Sequence, residues 1–348
     1  MELFGTSYLG LQNDPEYLQI LTDALLVHGS NNPISRLNDY DFSPLEAAEV
    51  EIAREWCCED ACLLSSGYLA GAAVMQVLQK LAKERSWCVV LASNHHPCTH
   101  PTSDRKPEHL NDSDAANALN TAVSQGKIDG WIMVSDSVDI MTGLPAGFTV
   151  SGSVASHASL CALDVSHSAY IWSHEHLNRR AQIDQNLVVY FGSLGKAPAF
   201  PAGFVAGPSD IVNLVRALPS YFAASPPPLA NAVAFLTAKH LRARKRERLE
   251  ALMNHVNSTY KICRSADFSF PIYNYGTGLN SEYLTLHDEG FVLSYLAYPD
   301  PEGNRVLRSV LNADIVFKDL DRFLEMSTTL GLVPAKRSNR VPAWKIVW

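Results

Sequence analysis

Val188-Val189-Tyr190-Phe191-Gly192-Ser193-Leu194-Gly195-Lys196 is an apolar run too short for a helix, and it delivers a lysine just past its carboxyl end with a serine three positions earlier. An ammonium at the end of a buried strand is costly unless it is paired or neutralised by a lowered pKa, so such a lysine is a candidate for Schiff-base chemistry. A phosphate-loop reading of Gly195-Lys196 needs Ser or Thr after the lysine and a glycine five residues before Gly195. Ala197 and Tyr190 stand there, and that reading fails.

Similar short apolar runs recur at Ala61–Leu64, Cys88–Ala92, Trp131–Val134, Leu160–Val165 and Leu187–Phe191, with helical stretches such as Tyr68–Lys83 and Asp112–Ser124 between several of them. Apolar strands alternating with helices predict βαβ units on a largely parallel sheet, an α/β fold. Upstream, Ser43-Pro44-Leu45-Glu46 is a capping box with proline at the first helical position. Downstream, a single long helix is expected from Ala230 to about Val256. Its basic middle, Arg242 to Arg248, reads as a solvated face. Beyond it, strands at Phe268–Tyr275, Phe291–Tyr298 and Val306–Leu311 and a helix at Phe317–Met326 form a smaller α+β unit, beside which the first 30 or so residues are expected to pack.

The chain has 348 residues, 47% hydrophobic and 18% charged, which is a composition for one large domain with a smaller one appended and not for a disordered or stapled chain. A net charge of −8 argues against nucleic acid as the main partner. The start, Met1-Glu2-Leu3-Phe4, lacks a secretory pattern and no run of 18 apolar residues occurs, so a cytoplasmic protein with no membrane span is expected. Three of the seven cysteines, Cys57, Cys58 and Cys62, crowd one segment without the spacing of a zinc site, and no metal is expected.

Two further strand ends carry chemistry. Leu160-Cys161-Ala162-Leu163-Asp164-Val165-Ser166-His167 brings an acid and a histidine to the carboxyl edge of the sheet, where open α/β sheets bind ligands. Leu63-Leu64-Ser65-Ser66-Gly67-Tyr68 runs from strand into helix, so backbone N–H groups and a hydroxyl meet at a helix N-terminus suited to an anion. An anion cradle, an aspartate with a histidine, and a serine with a lysine, in that order, are what pyridoxal phosphate requires: a phosphate anchor, a partner for the pyridine nitrogen, and an amine for the aldehyde.

These residues resemble a known family, the α-oxoamine synthases among the fold-type-I pyridoxal-phosphate enzymes, the group that includes 8-amino-7-oxononanoate synthase and glycine C-acetyltransferase. Ser7-Tyr8-Leu9-Gly10-Leu11 with Asp14-Pro15-Glu16 is similar to the family's "NYLGL…HPE", and Ser35-Arg36 with Leu45-Glu46 to its "GSR…LE". Ser65 to Ala70 resembles "SSGYAAN", Asp164-Val165-Ser166-His167 "DEAHS", Ser193 to Ala197 "TxSKA", Gly203 to Gly207 "GGYVAG", and Leu307-Arg308-Ser309-Val310 "LRIS". Class I aminotransferases carry an arginine eight residues after the lysine; here that position is Phe204, as in the synthases.

The resemblance implies a large domain over residues 31–235 with a mostly parallel seven-stranded sheet between helices, and a small domain from 1–30 and 236–348. Lys196 would form the aldimine and move the α-proton, Asp164 would hold the pyridine nitrogen protonated, and His167 would bond the ring's phenolic oxygen or a substrate carbonyl. Ser66, Gly67, Tyr68 and Ser193 would hold the phosphate, His96 or its neighbour His95 would stack on the ring, and Arg308 would clamp the amino-acid carboxylate. The implied reaction condenses an L-amino acid with an acyl thioester, delivered by coenzyme A or an acyl carrier, with decarboxylation to a 2-amino ketone, in a homodimer. An aminotransferase of class I/II and an inactive partner subunit are the competing expectations. The departures are Ile140 in place of the serine of "FSMDG", Pro198-Ala199-Phe200-Pro201-Ala202 in place of glycines, Ser7 in place of asparagine, and a chain that opens at the NYLGL-like segment, so the pocket and acyl tunnel are expected to differ.

Overall fold

A computed structural model describes residues 1–92, 97–99, 108–141, 143–145, 154, 157–175, 177, 188–262, 269–297, 302–334 and 343–347. The strands, in chain order, are β1 (Glu2–Leu3), β2 (Asp60–Leu64), β3 (Trp87–Ala92), β4 (Glu108–Asn111), β5 (Gly130–Asp136), β6 (Val138–Asp139), β7 (Leu144–Pro145), β8 (Leu160–Asp164), β9 (Val188–Ser193), β10 (Gly203–Gly207), β11 (Ile272–Thr277), β12 (Val292–Leu296), β13 (Val306–Val310) and β14 (Ala343–Val347). The helices used below are α1 (Pro15–His28), α2 (Ser43–Glu55), α3 (Gly67–Glu84), α4 (Asp112–Ser124), α5 (Leu229–Thr237) and α6 (Lys239–Thr259).

The large sheet has the order β2-β10-β9-β8-β5-β3-β14-β4. Pairings β3–β5, β5–β8 and β8–β9 are parallel, and β10 and β14 run antiparallel to both of their neighbours. The central strands are buried on both faces, as parallel strands must be under helical cover, and their side chains divide by strict alternation. Cys88, Val90, Trp131, Met133, Cys161, Leu163, Val188 and Tyr190 join one core, while Val89, Leu91, Ile132, Val134, Leu160, Ala162, Val189 and Phe191 join the other under α3.

Among the described residues the sheet has eight strands where seven were expected, because β14 joins it. Trp344 and Ile346 are buried, and β14 fills the gap between β3 and β4 with ladders on both sides. The C-terminal unit expected over 236–348 therefore does not retain residues 343–347. Its own four-stranded sheet has the order β1-β12-β13-β11, so the N-terminal strand joins it.

Two other expectations are corrected. The long helix is two, broken at Ala238, with no proline or glycine to announce the break. The basic run is a solvated face only in part: Arg244, Arg246 and Arg248 are exposed, as expected, while Arg242 is buried and Lys245 partly so. Arg242 is only 4% exposed, with its guanidinium 4.1 Å from the Phe235 ring centre. Lys245 lies between Asp14 (2.8 Å) and Asp314 (2.6 Å), and Arg248 donates to the carbonyls of Ala313 (2.7 Å) and Ile315 (2.8 Å). Through Lys245 and Arg248 the run also forms a clasp that ties the N-terminal segment to the C-terminal unit. The bland reading of the cysteines as buried hydrophobes holds for Cys62 but not for Cys57, which is exposed.

Burial pulls the Asp14 carboxyl up, but the Lys245 hydrogen bond and the backbone N–H groups of Tyr17 and Glu16 outweigh it and hold the group below its ordinary value. A carboxylate with a lowered folded pKa stabilises the protein above its unfolded value and loses that contribution as pH falls through the folded pKa. Lys245→Met should therefore cost about 1–3 kcal/mol in a denaturant titration at neutral pH. The cost should shrink as pH drops below about 3.9. A pH-independent difference would show that the clasp does not act through charge.

Candidate active site

Strands β5, β8 and β9 are parallel neighbours, so their carboxyl ends open on one side of the sheet, and Asp136 and Asp164 are direct partners in the ladder. Asp164 ends β8 at 7% exposure. Its Oδ1 accepts from the Ser166 backbone N–H at 2.8 Å, and the Cys98 Sγ stands 4.0 Å from its Oδ2. The Ser166 hydroxyl in turn accepts from the Ser193 N–H at 2.9 Å, stitching the end of β8 to the end of β9. Gly192 has φ +154, and a Cβ there would come within 2.7 Å of the Ser166 nitrogen, so this crossing needs glycine.

Lys196 follows β9 in a turn. Burial lowers the pKa of its amine, against the attraction of Asp164, Asp136 and Cys98, which holds the ammonium form up. A lysine in this balance has a larger neutral fraction at a given pH than a solvated one, which is the state a carbonyl carbon requires. It also shares one electrostatic neighbourhood with both carboxylates.

The anion cradle lies alongside. Helix α3 starts at Gly67, and the Ser66 hydroxyl accepts from the Leu69 N–H at 3.2 Å, so that side chain serves as the helix cap. A Cβ on Gly67 would lie 2.5 Å from the Ser193 Cβ and 2.7 Å from the Ser193 nitrogen. The helix terminus and the serine thus meet at backbone contact. The Ser193 hydroxyl accepts from the Gly195 N–H at 3.1 Å, which leaves its proton to donate. Tyr68 stands at the same terminus with its side chain 61% exposed.

On the other flank, His167 Nδ1 is 2.7 Å from the hydroxyl of Tyr8. Burial pushes the Tyr8 phenol well above its ordinary value, with Arg308 as the opposing cation close enough to act on it. Arg308 of β13 donates to the Ile140 carbonyl in the turn between β6 and β7. The fold thus brings Gly67, Ser193, Asp164 and Lys196 to the carboxyl end of the sheet, and it links His167 through Tyr8 to Arg308. His95 and His96 lie outside the described residues. The residues that sequence reasoning missed are Asp136, Cys98 and Tyr8. Asp136 carries the same signal as Asp164, an acid at the end of an apolar strand, whereas Cys98 and Tyr8 are joined to the site only through space.

The residues present fit pyridoxal phosphate: a helix N-terminus with a hydroxyl for the phosphate, a buried carboxylate for the ring nitrogen, and a half-buried amine for the aldehyde.

No protein-family model matches the chain. Relatives do. The 8-amino-7-oxononanoate synthase of Symbiobacterium thermophilum is 25% identical over 362 residues, covering 96% of this chain and 90% of that protein. That of Anaeromyxobacter sp. is 26% identical over 342 residues, 93% of this chain and 84% of its own. Among solved structures, serine palmitoyltransferase from Sphingomonas wittichii superposes with a TM-score of 0.77 at 20% identity, over 96% of this chain and 88% of that one. The 8-amino-7-oxononanoate synthase of Francisella tularensis does so with a TM-score of 0.66 at 15% identity, over 95% and 97%. The structures share the fold, and the sequences share it over nearly the whole length.

The close approach at Gly67 gives a direct test of the cradle. Gly67→Ala forces a Cβ into the Ser193 backbone, a strain of about 1–3 kcal/mol. It should weaken pyridoxal phosphate binding at least about tenfold, read by absorbance titration, and erase most of the preference for pyridoxal phosphate over unphosphorylated pyridoxal. An unchanged preference would place the phosphate elsewhere.

Proposed function

We propose that this relative of the α-oxoamine synthases, a pyridoxal-phosphate-dependent transferase by fold and ancestry, joins a small L-amino acid to an acyl thioester, with loss of carbon dioxide and the thiol, to give a 2-amino ketone. The observation that carries the reading is Lys196, half-buried past the end of β9 with its pKa lowered by desolvation and with Asp164 and Asp136 as its opposing charges. Pyridoxal phosphate, when bound, supplies an electron sink that makes the proton on the amino acid's α-carbon removable.

The chain's own residues supply the rest. The Lys196 amine, neutral in a larger share of molecules than a solvated lysine, gives the attachment point and then takes the proton from the α-carbon. Asp164, fixed on one oxygen by the Ser166 N–H and with only the weak donor Cys98 Sγ 4.0 Å from the other, offers that second oxygen to a protonated ring nitrogen. Tyr8, held protonated by burial, shares a hydrogen bond with His167 Nδ1; in the tautomer where the phenol donates, the histidine's proton is on Nε2 and can serve the ring oxygen or a substrate carbonyl. The N–H groups at the start of α3 and the Ser193 hydroxyl bind the phosphate. Arg308 binds the substrate carboxylate.

We further propose that the chain works as a homodimer. Leu26 (82% exposed) and Leu37 (70%), with Val27, Val50 and Tyr68, leave more apolar surface on the N-terminal elements than an isolated chain needs. Among the described residues no helix is long and apolar enough to cross a membrane.

The purified, cofactor-loaded protein should release free thiol only when an amino acid and an acyl-CoA are both present, while Lys196→Ala loses both the visible absorbance of the lysine-bound cofactor and thiol release. Amino transfer to a keto acid without thiol release would instead make it an aminotransferase. Because burial lowers the Lys196 pKa, the rate of cofactor attachment to apoprotein should rise with pH and level off below the ordinary lysine value of about 10.4. A midpoint at or above that value would contradict the assigned environment.

A further inference from the structure

The turn between β6 and β7 carries Ile140 and Met141, with Ile140 where the synthases have a serine, and three contacts press it against the C-terminal unit. Arg308 donates to the Ile140 carbonyl. The Asn274 Nδ2 donates to the Met141 carbonyl at 2.6 Å. A Cβ on Gly143, at φ +66, would come within 2.4 Å of the Ile272 carbonyl oxygen. Asn274 and Arg308 are direct cross-strand partners on β11 and β13, so two adjacent side chains grip two consecutive carbonyls.

Asn274 is built for this. The ladder slips between Asn274 and Gly276, where Gly276 takes φ +110, and this bulge brings the Gly276 N–H to the Asn274 Oδ1 at 2.7 Å. With its oxygen accepting from Gly276 and its nitrogen donating to Met141, only one orientation of the amide satisfies both partners. The turn is tightened from its own side by Asp139, whose Oδ1 accepts from the Met141 N–H at 2.8 Å and whose carbonyl accepts from the Gly143 N–H at 2.8 Å.

We propose that Asn274 is a positioning residue for amino-acid recognition: by fixing the turn it seats the Arg308 guanidinium on the Ile140 carbonyl, so that the arginine meets the substrate carboxylate already ordered. The proposal rests on the reading of Arg308 as the carboxylate clamp. A guanidinium carries five N–H donors in a planar fork suited to a carboxylate, and a bond to a fixed carbonyl restrains the long side chain that bears it. The arginine is near enough to act electrostatically on the Tyr8 phenol, which is bonded to His167. Without the seat, a long and mobile side chain has to be ordered when substrate binds, and the cost appears in affinity.

The test uses the cofactor-loaded protein and the change in its visible spectrum on titration with L-alanine, L-serine and glycine, each beside the amine that lacks the carboxylate: ethylamine, ethanolamine and methylamine. Asn274→Ala should weaken the amino acids about tenfold while leaving the amines within about twofold. In turnover it should raise KM for the amino acid with kcat little changed. Asn274→Asp, which keeps the acceptor for Gly276 but cannot donate to Met141, covers the case in which the alanine variant fails to fold, and it should show the same split. Arg308→Ala should weaken the amino acids at least as much, and the double variant should be no weaker than Arg308→Ala alone. If Arg308→Ala leaves amino-acid binding unchanged, the clamp reading itself is wrong. If Arg308→Ala weakens amino acids selectively but both Asn274 variants bind them normally, or weaken the amines equally, the clamp stands and the role of Asn274 is overturned.

Discussion

The site depends on the cost of keeping the Lys196 amine out of water. A buried ammonium is tolerated only beside negative charge, and here Asp136 and Asp164 stand side by side on β5 and β8 as the compensating acids. That geometry is available because β5, β8 and β9 are parallel, so their carboxyl ends finish at one edge and their next residues share one crevice. Burial favours the neutral amine while the carboxylates favour the charged one, and a group poised between the two can both attack a carbonyl carbon and shuttle a proton. The interlock of Ser166 with Ser193, with its demand for glycine at 192, fixes the distance between the strand ends on which this balance rests.

The N-terminal segment is what joins this edge to the C-terminal unit. Tyr8 reaches His167, while Gly10, at φ +67, takes a conformation whose Cβ would strike the Asp314 carboxylate. Asp14 caps α1 and accepts Lys245, which also holds Asp314. A few residues therefore connect the catalytic histidine candidate, the helical clasp and the start of the small sheet. On the far side Arg308 and Asn274 hold a turn that follows β5. The sheet edge that carries Asp164 and Lys196 is thus bordered by a unit tied to it through Tyr8 on one side and through Arg308 and Asn274 on the other.

Much of this was legible in the sequence, for physical reasons that can be named. Strands buried on both faces read as unbroken apolar runs, so β3, β5, β8 and β9 are visible, and a polar residue at the end of such a run is conspicuous, which is how Asp164, His167 and Lys196 stand out. Asp136 ends an equally apolar run and could have been found by the same rule. Tyr8 and Cys98 could not, since nothing local to either position points to His167 or Asp164. The basic run of α6 misleads at Arg242 and Lys245 because charge along a helix does not say where its partners lie, and Asp14 and Asp314 are far from Lys245 in sequence. Strand order is likewise non-local: neither the reversed direction of β10 nor the entry of β14 beside β3 has a short-range signal. The break at Ala238 has none either, since neither proline nor glycine stands there.

The most direct measurement is to load the protein with pyridoxal phosphate, reduce it with borohydride, and map the labelled peptide by mass spectrometry. A single reduced pyridoxyl phosphate group on Lys196 is the result this account predicts. Labelling spread over surface lysines, or none at all on Lys196, would contradict it.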